Sequence, residues 1–159
     1  MGKIIHLYSK ENISVFDVAQ AFLSFRSMSL STLQKLCYYT QCWYLVFYQE
    51  TLFNEDFIAT EQGLVSLKLE KQFTKYQQKK IVPKKCFPFY INKKASDVIK
   101  EVYRIYGNLS EEELEILVKN EQPWIKAIKQ KEKHFNSVID VKQMQHFYSN
   151  LYKKNKQTK

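Results

Sequence analysis

The sequence contains few of the residues that interrupt regular structure or build a disulfide framework. Only three of its 159 residues are glycine, three are proline and three are cysteine. This shortage of chain breakers predicts long regular elements, most readily helices. The odd cysteine count, without the spacing of a zinc ribbon or a CxxC redox pair, predicts free thiols in a reducing compartment. Because no hydrophobic run approaches the roughly 18 residues of a membrane span and no signal peptide is recognisable, we expect a cytoplasmic protein that does not bind membranes.

The motifs that carry enzymatic or metal chemistry are also missing. The sequence has no GxSxG, HExxH, GxxxxGK[ST] or GxGxxG pattern, and His6, His134 and His146 are scattered along the chain. Cys37 falls on the apolar stripe of a predicted helix, where a free cysteine is usually a small core residue. We therefore predict that the protein is not an enzyme and has no catalytic residues, metal or other cofactor. An enzyme that uses Cys37 or Cys86 is the third and weakest functional hypothesis.

Basic residues, by contrast, are abundant, with 25 lysines and arginines against 16 acidic residues and a formal net charge of +9. A surface of this charge attracts nucleic acid or an acidic partner, although a solvated lysine surface without a partner has the same composition. Between residues 78 and 94, basic residues alternate with aromatic ones, a pattern that suits binding to a nucleic-acid strand. The predicted contacts are made by four lysines: Lys79, Lys80, Lys84 and Lys85. The alternative is an exposed loop whose aromatic residues attach it to the core.

Hydrophobic periodicity predicts a mainly α fold, a compact single-domain helical bundle of about six helices with a small β element. Apolar residues recur at steps of three and four over residues 14–28, 31–50, 64–77, 96–106 and 141–152. Ser110 and Glu113 form a capping box that opens another helix, and Pro123 suits a first helical position.

The β element and the domain limits are predicted from the segments that break this periodicity. We expect the β element to come from segments near 55–60 and 80–91. The domain should span residues 14–152, preceded by an N-terminal extension, 1–13, and followed by a frayed basic C-terminal tail, 153–159.

The stretch LQKLCYYTQCWYL, residues 33–45, concentrates four aromatic rings, two thiols and one lysine on a predicted helix. One stripe of this helix is apolar and is expected to pack in the core. The remaining side chains form a second, more polar set: Lys35, Tyr38, Tyr39, Gln41 and Tyr48. Large aromatic and amide groups at a partly exposed helix edge suit a protein partner. A second buried face, satisfied by hydrogen bonds within the chain, explains the same pattern equally well.

Three separated motifs in the same order resemble a known family. LQKLCYYTQCWYL is similar to the LQKLLYYAQGWYL signature of the Panacea antitoxin domain, a phage-associated domain also described as SocA-like or GepA-like. TLFNEDFIATEQGLV resembles the family's PLFDDDFEAWKYGPV element, although Gln62 and Leu64 replace its aromatic residue and proline. YGNLSEEELEILVKNEQPWIKA resembles its YGHLSAWELSELTHREGSPWRKA element. The resemblance covers about residues 14–150.

This resemblance implies an antitoxin, often carried on mobile elements, that suppresses a cognate toxin by binding it directly. It ties Lys35 to the element that holds Glu61 and Gly63, so we predict that these three residues lie together, with Gly63 allowing a close backbone approach or a positive φ. They join Tyr38, Tyr39, Gln41 and Tyr48 as predicted partner-binding residues. Three further motif residues are predicted to be structural: Trp43, Pro123 and Trp124. A nucleic-acid-binding regulator that acts on its own operon is the alternative function.

Overall fold

A computed structural model describes residues 13–82, 90–134 and 136–157 of the chain. Across these residues it contains seven α-helices and one two-stranded sheet, which confirms a mainly α bundle with a small β element. In chain order the elements are α1 (Val15–Phe25), α2 (Leu30–Tyr48), β1 (Ile58–Thr60), β2 (Gly63–Val65), α3 (Leu67–Phe73), α4 (Lys93–Tyr106), α5 (Glu111–Lys119), α6 (Gln122–His134) and α7 (Val141–Gln157). A short 3₁₀ turn, Thr74–Tyr76, follows α3.

Helix α2 is the centre of the bundle. Fifteen of its 19 residues are buried, because α4 and α7 pack on it most extensively while α1, α3, α5 and β2 cover the remaining sides. A helix enclosed on all sides needs apolar or internally satisfied polar residues around its whole circumference. The composition of residues 33–45 meets this requirement.

Side-chain caps set where several helices begin. Ser14 forms a capping box with Asp17 at the start of α1, and Ser110 forms the predicted one with Glu113 at the start of α5. In each case the serine hydroxyl accepts a backbone N–H that has no partner within the helix. Helix α2 starts slightly earlier than expected, because Ser29 accepts from the Thr32 N–H.

The β element is a tight hairpin, and its second strand differs from the prediction. Strands β1 and β2 are antiparallel, with Thr60 paired to Gly63 across the turn. The segment near 80–91 was expected to supply the second strand. Its described part contributes only an isolated bridge between Ile81 and Met28, and residues 83–89 lie outside the described ranges. Because 63–65 is a strand, α3 begins at Leu67 instead of 64.

The two ends of the chain also bear on the predictions. Helix α7 continues to Gln157. The expectation of a frayed tail is therefore wrong for residues 153–157, which are helical. At the other end Ile13 is buried, while residues 1–12 lie outside the described ranges. The domain limits themselves stay a prediction. None of the described helices is both long enough and apolar enough to cross a membrane.

Candidate functional site

Lys35 and Gly63 are in direct contact, as the family resemblance predicted. The Lys35 side chain is 1% exposed, and its Nζ donates to Ser31 Oγ at 2.7 Å, one turn back along α2. Gly63 has a φ of +117°, and a Cβ built on it would lie 2.8 Å from Lys35 Cε. The hairpin therefore crosses α2 with its backbone resting on the lysine stem, which only glycine permits.

Trp124 holds the other side of the same hairpin. Its indole N–H donates to the carbonyl of Thr60 at 3.1 Å and also to the carbonyl of Gly63. Pro123 beside it is buried at the start of α6. The residues that carry the three motifs of the sequence thus meet at one place, around the β1–β2 turn.

Glu61 lies in the exposed turn of this hairpin and is engaged through its backbone. Its carbonyl accepts from Lys119 Nζ at 2.7 Å, and the same ammonium lies 5.6 Å from the centre of the Trp124 ring. Glu61 itself is exposed, two residues from the contact between Gly63 and Lys35. A partner-binding role for Glu61 stays a prediction.

The electrostatics of Lys35 follow from its burial. Burial lowers the pKa of the Lys35 ammonium, and the carboxylates of Glu115 and Glu111 oppose this shift by attraction. In place of a carboxylate, Ser31 accepts the hydrogen bonds of the ammonium, through its hydroxyl and, at 3.4 Å, its carbonyl. This geometry suits a structural side chain that packs against the backbone of the hairpin.

The polar set of α2 is more buried than a partner-binding edge requires. Tyr38, Tyr39 and Gln41 are at most 2% exposed, so the expectation of a partly exposed edge is wrong for them and for Lys35. The alternative interpretation, a second buried face with internal hydrogen bonds, describes what is observed. Tyr48 alone is partly exposed, with Lys94 Nζ 4.9 Å from its ring centre. Partner contacts by these residues stay predictions.

Gln41 forms two hydrogen bonds to the backbone of the segment that follows α2. Its Oε1 accepts from the Leu52 N–H at 2.7 Å, and its Nε2 donates to the Phe53 carbonyl at 2.7 Å. Gln34, two turns earlier on the same face, accepts from the Ser66 N–H at 2.7 Å. These amides satisfy buried backbone groups, which explains why α2 carries them inside the core.

A carboxylate that sequence reasoning missed lies in the centre of the bundle. Glu121 is 7% exposed, and its Oε1 accepts from both Tyr39 and Tyr148, each at 2.7 Å. Burial raises the pKa of Glu121 to about 7, and the hydrogen bonds from the two tyrosines oppose part of that rise. The hydroxyl of Tyr38 lies 3.5 Å from that of Tyr148. The one signal in the sequence was the place of Glu121 just before Pro123 and Trp124.

Trp43 links this cluster to the surface. Its indole N–H donates to the Tyr106 hydroxyl at 2.9 Å, and the Tyr106 ring stacks on Tyr39 with ring centres 4.1 Å apart. Beside Trp43 an open groove of about 420 Å³ lies between α2, α4 and α7. We call it the aromatic groove, and its apolar lining is Trp43, Phe47, Val98, Val102, Ile105, Tyr106, Leu151 and Tyr152.

The described cysteines and lysines bear on the two other hypotheses. Cys37 and Cys42 are free and buried, and burial raises the pKa of both thiols, which disfavours the reactive thiolate. Cys86 lies outside the described residues. No group of three or more histidine, cysteine or acidic side chains in the described part of the chain could hold a metal ion. Lys79 and Lys80 are exposed, whereas Lys84 and Lys85 lie outside the described ranges.

Comparison with known families agrees with the geometry of the motifs. Residues 33–125 match the family model described as "Antitoxin SocA-like, Panacea domain". This match covers more than half of the 159-residue chain and includes Lys35, Gly63, Glu121 and Trp124. No curated protein and no solved structure matches the chain. The chain belongs to the SocA-like Panacea antitoxin domain family.

Proposed function

We propose that this protein is an antitoxin that neutralises a cognate toxin by binding it directly in the cytoplasm. The observation that carries the proposal is the family match over residues 33–125. We further propose that the protein acts by binding and not by catalysis. In support, the two described cysteines are buried in α2 and the central carboxylate, Glu121, is enclosed by tyrosine hydroxyls.

The internal contacts of the motif residues limit the surface that is available to a partner. Lys35, Gly63 and Trp124 hold the hairpin against α2, and Gln41 holds the chain that follows α2. These contacts make the buried motif residues a scaffold, so toxin recognition falls to the side chains that reach the surface. Of the predicted partner-binding residues, Tyr48 and Glu61 stay accessible for such contacts.

Co-expression with the open reading frames on either side of the gene tests this function. One of them should arrest growth when expressed alone, and this protein should restore growth and co-elute with that product in size-exclusion chromatography. A Leu36→Asp variant, which places a charge in the core, is the inactive control. Restored growth without a complex would contradict direct binding, and growth arrest that this protein never relieves would contradict the antitoxin role.

A nucleic-acid-binding regulator is the second candidate. The supporting observation is the net charge of +9 together with the exposed Lys79 and Lys80. Such binding would weaken steeply with salt, because each phosphate contact releases counterions. Retention of the protein on DNA of its own promoter region, measured across a salt series, tests this candidate.

A further inference from the structure

The aromatic groove is open to solvent and is lined mainly by apolar side chains. Phe47 on α2 is 44% exposed and Ile105 on α4 is 48% exposed. They face a space of about 420 Å³, which leaves room for several apolar side chains of another molecule. Leu67 and Ile116 are also exposed, but single exposed apolar residues are ordinary on protein surfaces.

The walls of the groove have the spacing that accepts a helix. Val98, Val102 and Ile105 follow one another at steps of four and three along α4 and form one ridge. Trp43 and Phe47, four residues apart on α2, form a second ridge. The space between two such ridges is where the side chains of a further helix pack, and burying an amphipathic helix in an apolar groove is a recurring mode of recognition.

The charge at the rim indicates what flanks that helix. Lys156 lines the groove on α7, with its Nζ 4.7 Å from the centre of the Tyr152 ring. Lys94, one turn before Val98 on the same face of α4, is exposed with its Nζ 4.9 Å from the Tyr48 ring. The rim also carries the carboxylate of Glu101, but Arg104 pairs with it. The two charged lining residues, Lys156 and Glu101, balance each other. Exposed Lys94 and Arg104 beside the groove therefore make its surroundings net positive, which favours acidic groups on the incoming segment.

We propose that the aromatic groove docks an amphipathic helical segment of a protein partner, with apolar residues on one face and acidic residues at its flanks. The inference rests on the proposed function only in taking that partner to be the toxin. Binding would place apolar side chains against Phe47, Trp43 and Ile105, and carboxylates beside Lys94 and Lys156.

Selection from a displayed library of short random peptides tests the proposal without knowledge of the toxin. The full chain is the bait, and a Phe47→Asp/Ile105→Asp variant removes peptides that bind elsewhere. Both positions are partly exposed, so this variant should fold. We expect enriched peptides with apolar residues at helical spacing and a net negative charge. Enrichment of no groove-dependent peptides, or of basic ones, would overturn the proposal.

The affinity of the best acidic peptide for a set of variants then separates the apolar contribution to binding from the electrostatic one. We expect binding to weaken about tenfold or more in Phe47→Asp, as for a central interface residue, and to become less salt-dependent in Lys94→Glu/Lys156→Glu. Leu67→Asp, at an apolar site of α3 that is 65% exposed and lies outside the groove lining, is the control and should bind normally. Equal losses in the control and the groove variants would overturn the assignment of the site.

Three further readouts distinguish other occupants of the groove and separate a failure of the docking proposal from a failure of the proposed antitoxin function. Sedimentation that shows a dimer dissociated by Phe47→Asp would assign the groove to a second copy of the chain and overturn a partner helix. In a second outcome, the selection yields no acidic peptides while the protein retains an oligonucleotide and loses it in Lys94→Glu/Lys156→Glu. That result would overturn the partner helix in favour of nucleic acid. Acidic peptides that bind the groove, in a protein that relieves no toxin, would support the site while contradicting the antitoxin role.

Discussion

The backbone of Gly63 packs against the side chain of Lys35, so closely that a Cβ added to the glycine would lie 2.8 Å from Lys35 Cε. Two physical conditions therefore act at one residue, a φ of +117° that L side chains rarely adopt and a contact with no room for a methyl group. The lysine stem is itself enclosed, so the clash would move either the hairpin or the helix.

Gly63→Ala should destabilise the fold through both conditions. The positive φ should cost about 1–3 kcal/mol, and the steric overlap should add about 1 kcal/mol or more. Denaturant unfolding of Gly63→Ala, Lys35→Ala and the double variant measures the two separately. We expect the alanine at 63 to be less costly when Lys35 is also alanine, because the overlap is then gone. Strict additivity would show that the two residues do not oppose each other.

Gln41→Leu should lower the free energy of unfolding by about 2–4 kcal/mol, because the Leu52 N–H and the Phe53 carbonyl would lose their buried partner. Gln72→Leu, at an exposed position of α3, is the matched control and should change little. Denaturant unfolding checks both variants. A Gln41→Leu protein of normal stability that no longer relieves the toxin would instead indicate a direct partner contact.

Glu121→Gln should change how stability depends on pH. Burial raises the pKa of Glu121 from 4.5 to about 7, so between these pH values the folded protein keeps a proton that the unfolded chain has released. The free energy of unfolding of the wild type should therefore fall as the pH rises through this window, by up to about 3 kcal/mol. The glutamine variant cannot titrate and should lack this fall.

Urea unfolding on both sides of that window measures the effect. Glu112→Gln, at an exposed position of α5, controls for the loss of one acidic charge. A Glu121→Gln profile that parallels the wild type at every pH would show that the buried carboxyl does not titrate in this range.

Trp124→Phe should destabilise the protein by about 1–3 kcal/mol, because it keeps an aromatic ring but removes the N–H that binds the carbonyls of Thr60 and Gly63. Thermal melting measures the loss. Amide hydrogen exchange of β1 and β2 should rise more than that of α4, which lies away from this contact. An unchanged melting temperature combined with lost toxin binding would identify Trp124 as a contact residue and not a structural one.

Charge reversal of the basic segment separates the two candidate functions. If the protein recognises a protein toxin, Lys79/Lys80/Lys84/Lys85→Glu should still restore growth, or restore it less because association is slower. If the protein acts on nucleic acid, the same variant should lose most of its DNA retention. We expect the first result. Loss of growth rescue and DNA retention together, with an unchanged circular dichroism spectrum, would favour the nucleic-acid regulator.

Local interactions explain which parts of the fold were predictable. The capping boxes of Ser14 with Asp17 and of Ser110 with Glu113 each lie within three residues of sequence, and the apolar steps of three and four along α2 and α4 also need no distant partner. For the same reason the helical core was foreseen more accurately than its ends. The contact of Lys35 with Gly63 was also foreseen, but by family resemblance and not by periodicity.

Tertiary packing decided the rest, because burial and pairing depend on groups far apart in the chain. Nothing local distinguishes an exposed Tyr39 from one whose hydroxyl donates to Glu121, 82 residues away. Strands β1 and β2 have three residues each, too few for an alternating pattern, and their position depends on Lys35 and Trp124 beyond them. The sequence alone thus determined a helical antitoxin-family domain with a polar, aromatic α2. Only the enclosure of α2 by α4 and α7 determined that its tyrosines and glutamine hold the core together, leaving the aromatic groove exposed.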